Sequence, residues 1–434
     1  MKLIILVLLV STQVLCLTTS CTKLDPKQIS DLHDADDLVY SGYLNTFEGS
    51  ASALAFLFYG HQKAKTVDQL KDYPTLIYLN GLLGETSQIG NFIEVGPIRI
   101  NSQGKLEKNI NTWNSQFNLL FIDLVVGTGY SYYDIYQDIP TNADQISSHF
   151  LYALQQFLAN DEGCVKKRNF TGLEKSNWYI FGEGYAGKQV VHLAHKILDS
   201  SAQLLQNNLK GIGLGNAHID ASSLLREIPS YVFNFGLVEP RERQQLERVA
   251  LRGLQQLNQK DYLGTYETIQ AAVQKIHQFS GGINIQNLDQ LTDIENYIST
   301  FEAYFNLNTT KASLNFETGI KFRQSSADII HALSQDFAKP DALQKLKELQ
   351  TKLKILIYNG QNDILCPVSS TLRCLSQIND DFKTEKLESL KQNGKTVGYT
   401  LNSGQLKFVS INNAGFHIPL EKGEIILPIV TDWK

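Results

Sequence analysis

The sequence predicts an α/β fold with a mostly parallel central sheet that is covered by helices on both faces. Short runs of apolar and β-branched residues alternate along the chain with segments of helical apolar spacing. Residues 176–192 combine a short aromatic strand, a glycine-dense turn and a helix. The chain has 434 residues, of which 43% are hydrophobic, so it can bury a large core.

The predicted elements alternate along the chain as this fold requires. The strands cover residues 39–44, 53–59, 74–79, 119–123, 178–181, 209–216, 354–358 and 406–411, and the helices cover residues 143–158, 188–198 and 241–257. Pro240 suits the first turn of the last helix. We expect residues 17–239 and 340–434 to form the sheet domain and residues 240–339 to form an inserted, mainly helical lid.

The first 16 residues have the features of a secretory signal peptide. Lys2 precedes an apolar run over residues 3–10, and polar and small residues follow. The apolar run is too short to span a bilayer, and we expect no membrane span in the mature chain. These features predict the secretory pathway, with an extracellular, lysosomal or vacuolar destination. A net charge of −5 predicts no nucleic-acid partner, and the sequence carries no signal for an oligomeric state.

The remaining cysteines and two sequons fit that route. Removal of the signal leaves an even number of cysteines for an oxidising compartment, namely Cys21, Cys164, Cys366 and Cys374. Cys366 and Cys374 are close enough in sequence to form one disulfide, although the connectivity stays open. Asn169 and Asn308 begin glycosylation acceptor motifs.

Four loops after predicted strands carry distinctive residues. They contain Asn80, Gly184, Asp363 and His417. In open α/β sheets, function collects beyond the carboxyl ends of the strands. The order of glycine-rich elbow, acid and histidine is the order of the α/β-hydrolase triad. We therefore predict an α/β-hydrolase fold, in which the turn at Gly184 corresponds to the elbow that presents a nucleophile.

A series of motifs in the right order resembles the serine carboxypeptidase family, of the carboxypeptidase Y and vitellogenic carboxypeptidase type. These motifs cover residues 40–44, 74–97, 111–114, 121–131, 182–187, 215–216, 357–363 and 414–419. The resemblance extends over nearly the whole mature length.

The resemblance implies that two members of the catalytic triad are missing. The family elbow Gly-Glu-Ser-Tyr-Ala-Gly places Gly184 at the nucleophile position, and the family motif Ala-Gly-His-x-x-Pro places Phe416 at the base position. His417 is displaced by one residue, and Asp363 matches the acid. A glycine has no side-chain atom that could attack a carbonyl, so the covalent route is closed. We expect Asp363 to be kept as a structural hydrogen-bonding residue and His417 to be a bystander.

The predicted oxyanion donors are the backbone N–H groups of Leu82 and Tyr185. The family sequence has glycine where this chain has Leu82 and cysteine where it has Glu85. If the family glycine uses a positive φ, leucine there costs roughly 1 to 2 kcal/mol and turns the amide away. We therefore expect an altered oxyanion loop.

The residues that hold the substrate carboxylate in the resembling enzymes are retained. They are Asn80, Gly81, Glu94 and Glu183. An amide and a backbone N–H can donate to a carboxylate, and two carboxyl groups can share a proton. The alternative is that these residues only connect the elbow to the neighbouring loop.

The leading hypothesis is a catalytically inactive homologue that acts by binding or as a structural component, with peptide C-termini or another protein as partner. The alternative is an active acid carboxypeptidase that uses an unrecognised nucleophile and His417. A third hypothesis is a purely structural surface or matrix protein. We predict no cofactor, and no metal, because His192 and His195 lack a third ligand nearby and have the spacing of a surface pair.

Overall fold

The computed structural model of the protein describes residues 19–158, 172–200, 205–289 and 294–434. The predicted signal peptide, Cys164 and Asn169 lie outside these residues. The described strands β1 to β13 are Ser20–Lys23, Val39–Asn45, Ala53–Tyr59, Thr75–Leu79, Ile98–Ile100, Leu106–Lys108, Asn118–Ile122, Trp178–Glu183, Leu209–Gly215, Lys354–Gly360, Glu388–Gln392, Lys395–Ser403 and Leu406–Ile411. The described helices α1 to α14 are Pro26–Ile29, Ala143–Leu158, Tyr185–Asp199, Ala221–Asn234, Pro240–Asn258, Tyr262–Phe279, Ile294–Phe305, Asn308–Ser313, Ala327–Ala338, Asp341–Leu349, Val368–Ile378, Asp381–Thr384, Ile418–Glu421 and Gly423–Trp433.

One large sheet organises the chain. Its eleven strands lie in the order β1-β2-β3-β7-β4-β8-β9-β10-β13-β12-β11. The six strands from β7 to β13 in this order pair in parallel, and antiparallel strands flank them on both sides. The prediction of an α/β-hydrolase fold is confirmed, with a parallel centre and antiparallel edges. All eight predicted strands are present.

The sheet has an apolar core on each face because its central strands are buried on both sides. Along β4, Ile77 and Leu79 pack into one core with helices α2 and α3, whereas Leu76 and Tyr78 pack into the other with helix α14. This alternation follows from the two-residue period of a strand. The rigid sheet fixes the positions from which the site loops leave.

The connection between β9 and β10 is helical in the residues that the structure describes. It comprises helices α4 to α10 and has an apolar cluster of its own, which includes Leu225 on α4, Leu246 on α5 and Ile269 on α6. Residues of α4, α6 and α9 line one cavity together with Gly184 and Leu365, so these three helices cover the loops after β8 and β10.

The possible disulfide between Cys366 and Cys374 is not formed, because both residues are free thiols, as is Cys21. Burial raises the pKa of the Cys366 and Cys374 thiols. Both thiols therefore stay protonated in the folded protein. No helix in the described part of the chain is long and apolar enough to cross a membrane.

Candidate functional site

The predicted site residues meet at the carboxyl ends of the parallel strands. Asn80 follows β4, Gly184 follows β8, and Asp363 lies in the loop after β10. Phe416 and His417 lie between β13 and helix α13. Asn216, the residue after β9, holds the backbone of Phe416 in place, because its Nδ2 donates to the carbonyl oxygen of Phe416 at 2.6 Å. The sheet thus brings together loops that are far apart in sequence.

Gly184 forms the apex of the turn between β8 and α3. Its φ of 57° and ψ of −128° lie in a region that glycine adopts readily and that strains other residues. A Cβ at this position would lie 2.8 Å from Cζ of Phe416 and 3.0 Å from the carbonyl oxygen of Gly81. The apex therefore has the strained geometry of a nucleophile elbow but no room for a side chain.

Phe416 closes the space above the apex. Its side chain is fully buried, and its backbone N–H donates to the carbonyl oxygen of Gln286 at 2.7 Å. A phenyl ring has no atom that can accept a proton, so the group beside Gly184 cannot act as a general base.

No histidine among the described residues is seen to form a hydrogen bond with Asp363, although the charge of His417 is near enough to act on its pKa. Its two carboxylate oxygens accept from the backbone N–H groups of Leu365, at 2.8 Å, and Cys366, at 3.2 Å. Burial raises the pKa of Asp363 to about 8. Asp363 thus holds the loop after β10 in place through these two hydrogen bonds.

His417 points to a different acid. Its Nδ1 lies 2.5 Å from Oε1 of Glu94, and its side chain is buried. Burial lowers the pKa of His417, but the hydrogen bond to Glu94 and the charges of Glu94 and Glu85 outweigh that effect, so its pKa is raised. His417 is therefore the buried hydrogen-bond partner of Glu94.

The retained carboxylate-binding residues bond to one another. Asn80 Nδ2 donates to Glu94 at 3.3 Å and to Glu183 at 3.2 Å. Tyr78 donates to Glu94 at 2.9 Å, and Tyr358 donates to Glu183 at 3.3 Å. Glu94 and Glu183 are 0% exposed. Together with His417, these side chains form what we call the carboxyl cluster, which is sealed from solvent.

The carboxyl cluster balances its own charge. Burial and the neighbouring Glu94 carboxyl raise the pKa of Glu183 well above its usual value, so Glu183 retains its proton within the cluster. Ligand atoms of Glu94, Glu183 and His417 lie within 4.8 Å of one another, which is a spacing that a metal ion could use. Because hydrogen bonds and the shared proton already satisfy these groups, we assign no metal to them.

The N–H of Leu82 in the oxyanion loop is unavailable to a ligand, but not for the reason that the sequence predicts. Leu82 does not adopt a positive φ, so the predicted backbone strain is absent. Its N–H instead donates to Oε2 of Glu85 at 2.8 Å. The carboxylate of this chain thus occupies the donor that would stabilise an oxyanion. Tyr185 begins helix α3, and its N–H remains at the elbow.

The two histidines of helix α3 are not a surface pair, and this prediction is wrong for His192. His192 is buried, and its Nδ1 lies 2.9 Å from Asp144 on helix α2. His195 is half-buried and contacts Glu348 on helix α10 at 2.9 Å. The face of helix α3 that carries both histidines packs against helices α2 and α10. The three-residue spacing of the histidines does not show whether that face is buried.

A cavity of about 760 Å³ lies between the elbow and the helical connection. The cavity is lined by the elbow side, by helices α4, α6 and α9, and by neighbouring loops. The lining residues are Leu82, Leu83, Glu85, Gly184, Tyr185, His218, Leu224, Ile228, Tyr266, Ile269, Gln270, Val273, His277, Gly282, Ile283, Asn284, Ile285, Gln286, Ser325, Ile330, Phe337, Leu365 and Cys366. The members of the carboxyl cluster are not among these described lining residues. The cavity therefore reaches the elbow but not the cluster behind it.

Comparison with known proteins identifies the family. The family model for serine carboxypeptidases matches residues 32–434. The chain belongs to the serine carboxypeptidase family.

Relatives of this family span most of the chain at moderate identity. The chain is 27% identical to serine carboxypeptidase-like 50 of Arabidopsis thaliana over 399 residues, which cover 91% of this chain and 86% of that protein. It is 25% identical to the venom serine carboxypeptidase of Apis mellifera over 414 residues, which cover 90% and 83% of the two chains. The prohormone-processing carboxypeptidase Kex1 of Saccharomyces cerevisiae shares the fold, with a TM-score of 0.79 at 20% identity and 95% coverage of both chains.

Sequence reasoning found the loops of this serine carboxypeptidase site but missed two of its features. It did not predict that Glu85 caps the amide of Leu82, nor which residues of the helical connection line the cavity. A carboxylate three residues after an amide donor in a glycine-flanked loop is a signal for such a local hydrogen bond. The cavity walls come from helices that pack over the elbow, and no local sequence pattern indicates this tertiary packing.

Proposed function

We propose that this serine carboxypeptidase homologue is catalytically inactive and acts by binding a ligand in the cavity above the elbow. The observation that carries the proposal is the contact between Phe416 and Gly184, which fills the position of the reacting groups with a ring that has no proton acceptor. The cavity size falls within the range of about 300 to 1,000 Å³ that is usual for small-molecule sites.

Three further observations argue against hydrolysis at this site. The apex has no nucleophilic side chain. His417, which an active alternative would use as its base, is bonded to Glu94 behind the elbow. The N–H of Leu82 is already occupied by Glu85. In another hydrolase, loss of the nucleophile or base alone costs about a millionfold in kcat, so each of the first two features is sufficient to remove useful activity. Loss of one oxyanion donor costs about a hundredfold to a thousandfold, so the occupied N–H of Leu82 adds to that effect.

The proposal does not include recognition of peptide C-termini. Glu94 and Glu183 are 0% exposed, and both donors of the Asn80 amide are engaged with them. A peptide carboxylate would have to break several buried hydrogen bonds, each of which is costly to leave unmade. The carboxyl cluster instead supports the elbow from below.

We place the protein in the secretory pathway, outside the cell or in a lysosomal or vacuolar lumen. The apolar N-terminal segment supports this, and Asn308, the described glycosylation acceptor, is exposed at the start of helix α8. One relative is named as a venom protein, and that name concerns the relative alone.

Activity assays test the absence of catalysis. The purified protein should release no C-terminal residue from blocked dipeptides at pH 4 to 6 and should not be labelled by a fluorophosphonate probe. An active serine carboxypeptidase serves as the positive control. Robust release would overturn the proposal, and loss of that release in His417→Gln would then support the active alternative.

Calorimetry tests the absence of a carboxylate site. Peptides with free and amidated C-termini should give the same heat of binding, because the carboxyl cluster is closed. A clear preference for the free C-terminus, removed by Asn80→Ala, would contradict this part of the proposal.

A further inference from the structure

The walls of the cavity define the apolar part of a ligand. On the side of the helical connection, Leu224 and Ile228 of α4, Ile269 and Val273 of α6, and Ile283 line the space. Apolar surface of this kind favours burial of a hydrocarbon or aryl group. The cavity therefore suits a ligand with an apolar body.

The charged groups of the cavity define the polar part of the ligand. Among the described lining residues, Glu85 is the single carboxylate, and there is no lysine or arginine. Burial lowers the pKa of His218 to about 4, and its Nε2–H donates to the carbonyl oxygen of Phe337 at 3.1 Å, so it is neutral. His277 is exposed at the rim and bonds to the carbonyl oxygen of Ile283 at 3.1 Å.

Glu85 has bonding capacity left. In the described part of the chain its carboxylate accepts a hydrogen bond from the N–H of Leu82, at Oε2. Its side chain is half-buried at the end of the cavity nearest the elbow. A carboxylate accepts about four hydrogen bonds, so Glu85 can receive an ammonium group while it keeps the hydrogen bond from Leu82. Burial raises the pKa of Glu85, whereas the Leu82 N–H and the nearby His417 lower it, and an ammonium group in contact with Glu85 favours its ionised form further.

We propose that the cavity binds an apolar monoamine, whose ammonium group pairs with Glu85 and whose hydrocarbon or aryl body packs between helices α4 and α6. This inference rests on the proposed function, since it names the ligand class of the same cavity. The charge preference of this cavity is the opposite of that of a carboxylate-binding site. The groups that would hold a carboxylate are buried in the carboxyl cluster, and the charged group that the cavity exposes is the carboxylate of Glu85. An acidic ligand of the same shape would meet Glu85 with a like charge.

Three probes with one body test the charge preference. Calorimetry on the full chain at neutral pH compares phenylbutylamine, phenylbutanol and phenylbutyrate. The amine should bind at least about tenfold more tightly than the alcohol, and the acid should bind weakest. Equal binding of the three probes, tighter binding of the acid, or no binding of any probe would overturn the inference.

Variants locate the site. Glu85→Gln keeps the size and the acceptor for Leu82 and should remove the preference for amine over alcohol. Glu267→Gln removes the same charge from an exposed position of helix α6 outside the cavity and should leave the preference intact. If the amine preference survives Glu85→Gln, the assignment is wrong.

Two more variants test the same site in case Glu85→Gln does not fold. Val273→Trp fills the apolar wall and should abolish binding of all three probes. Gln270→Lys adds a cation to the lining and should weaken the amine and strengthen the acid. An unchanged probe ranking in either variant would count against this site. Failure here leaves the inactive assignment standing, because the dipeptide and fluorophosphonate assays test that assignment separately.

Discussion

At the scale of single residues, Gly184 and Phe416 are sterically coupled. The ring of Phe416 occupies the space that a side chain on residue 184 would need, at 2.8 Å from the position of its Cβ. Each residue is therefore compatible with the other, and a change at one alone creates a clash or a void.

Gly184→Ser should lower the free energy of unfolding by about 1 to 3 kcal/mol, because it adds both backbone strain and a contact with Phe416. Urea unfolding measures the change, and the variant should still hydrolyse nothing. Gly404→Ser is the matched control, since Gly404 has a φ of 59° but no atom within 4 Å of an added Cβ.

The double variant Gly184→Ser/Phe416→Ala isolates the contact. Its loss of stability should be smaller than the sum of the two single losses, because removal of the ring makes room for the serine. Strict additivity would show that the contact does not contribute.

The sequence assigns Gly184 and Phe416 to neighbouring positions of one site, and in the structure the two residues are in contact. The sequence could not predict the partner of His417, because a loop has no fixed period and Glu94 lies 323 residues away. It also could not predict the backbone conformation of Leu82, whose amide is controlled by the side chain of Glu85.

At the scale of elements, a buried ion pair joins helix α3 to helices α9 and α10. Lys188 on α3 is fully buried, and its Nζ lies 2.9 Å from Asp341 and 3.3 Å from Asp336. Tyr185, the residue after the apex, donates to Asp336 at 2.7 Å. These contacts hold the helical connection against the elbow helix.

Lys188→Met should destabilise the protein by about 3 to 5 kcal/mol, because it leaves the buried Asp336 carboxylate without its cation. Thermal and urea unfolding measure the loss. Lys196→Met removes a half-buried lysine from the same helix, and it should change stability by less than about 1 kcal/mol. Similar losses in both variants would contradict the role assigned to Lys188.

Buried strands could be predicted from the sequence, whereas exposed strands could not. Strands such as Ala53–Tyr59 are buried along their whole length, so their continuous apolar runs were recognisable. Strands β11 and β12 were missed because most of their residues are exposed or half-buried, which leaves no apolar pattern in a segment rich in polar residues.

At the scale of the whole molecule, several buried groups bind protons more tightly in the folded state than in the unfolded state. Burial raises the pKa of Asp363 to about 8, and the pKa values of Glu183 and His417 are also raised. Stability that depends on these protons is present at low pH and is lost as the pH rises through the folded pKa values. The buried His218, with its pKa lowered to about 4, acts oppositely below pH 6.5.

The free energy of unfolding should therefore fall between pH 6.5 and pH 8. Asp363 alone contributes about 2 kcal/mol to this fall, because each pH unit in its window is worth about 1.4 kcal/mol. Urea unfolding at the two pH values measures the difference. Asp363→Asn should reduce it by that amount, whereas Asp68→Asn, at an exposed position, should not. A stability that rises over this interval would refute the assignment.

The capped amide of Leu82 also bears on whether catalysis could return. A serine at the apex needs the space of the Phe416 ring, a histidine at residue 416 needs a free Asp363, and an oxyanion needs the N–H that Glu85 holds. On the proposed assignment, each of these changes made alone leaves the other two obstacles in place, and the serine at residue 184 also costs stability. A working peptidase site in this chain would therefore require all three changes together.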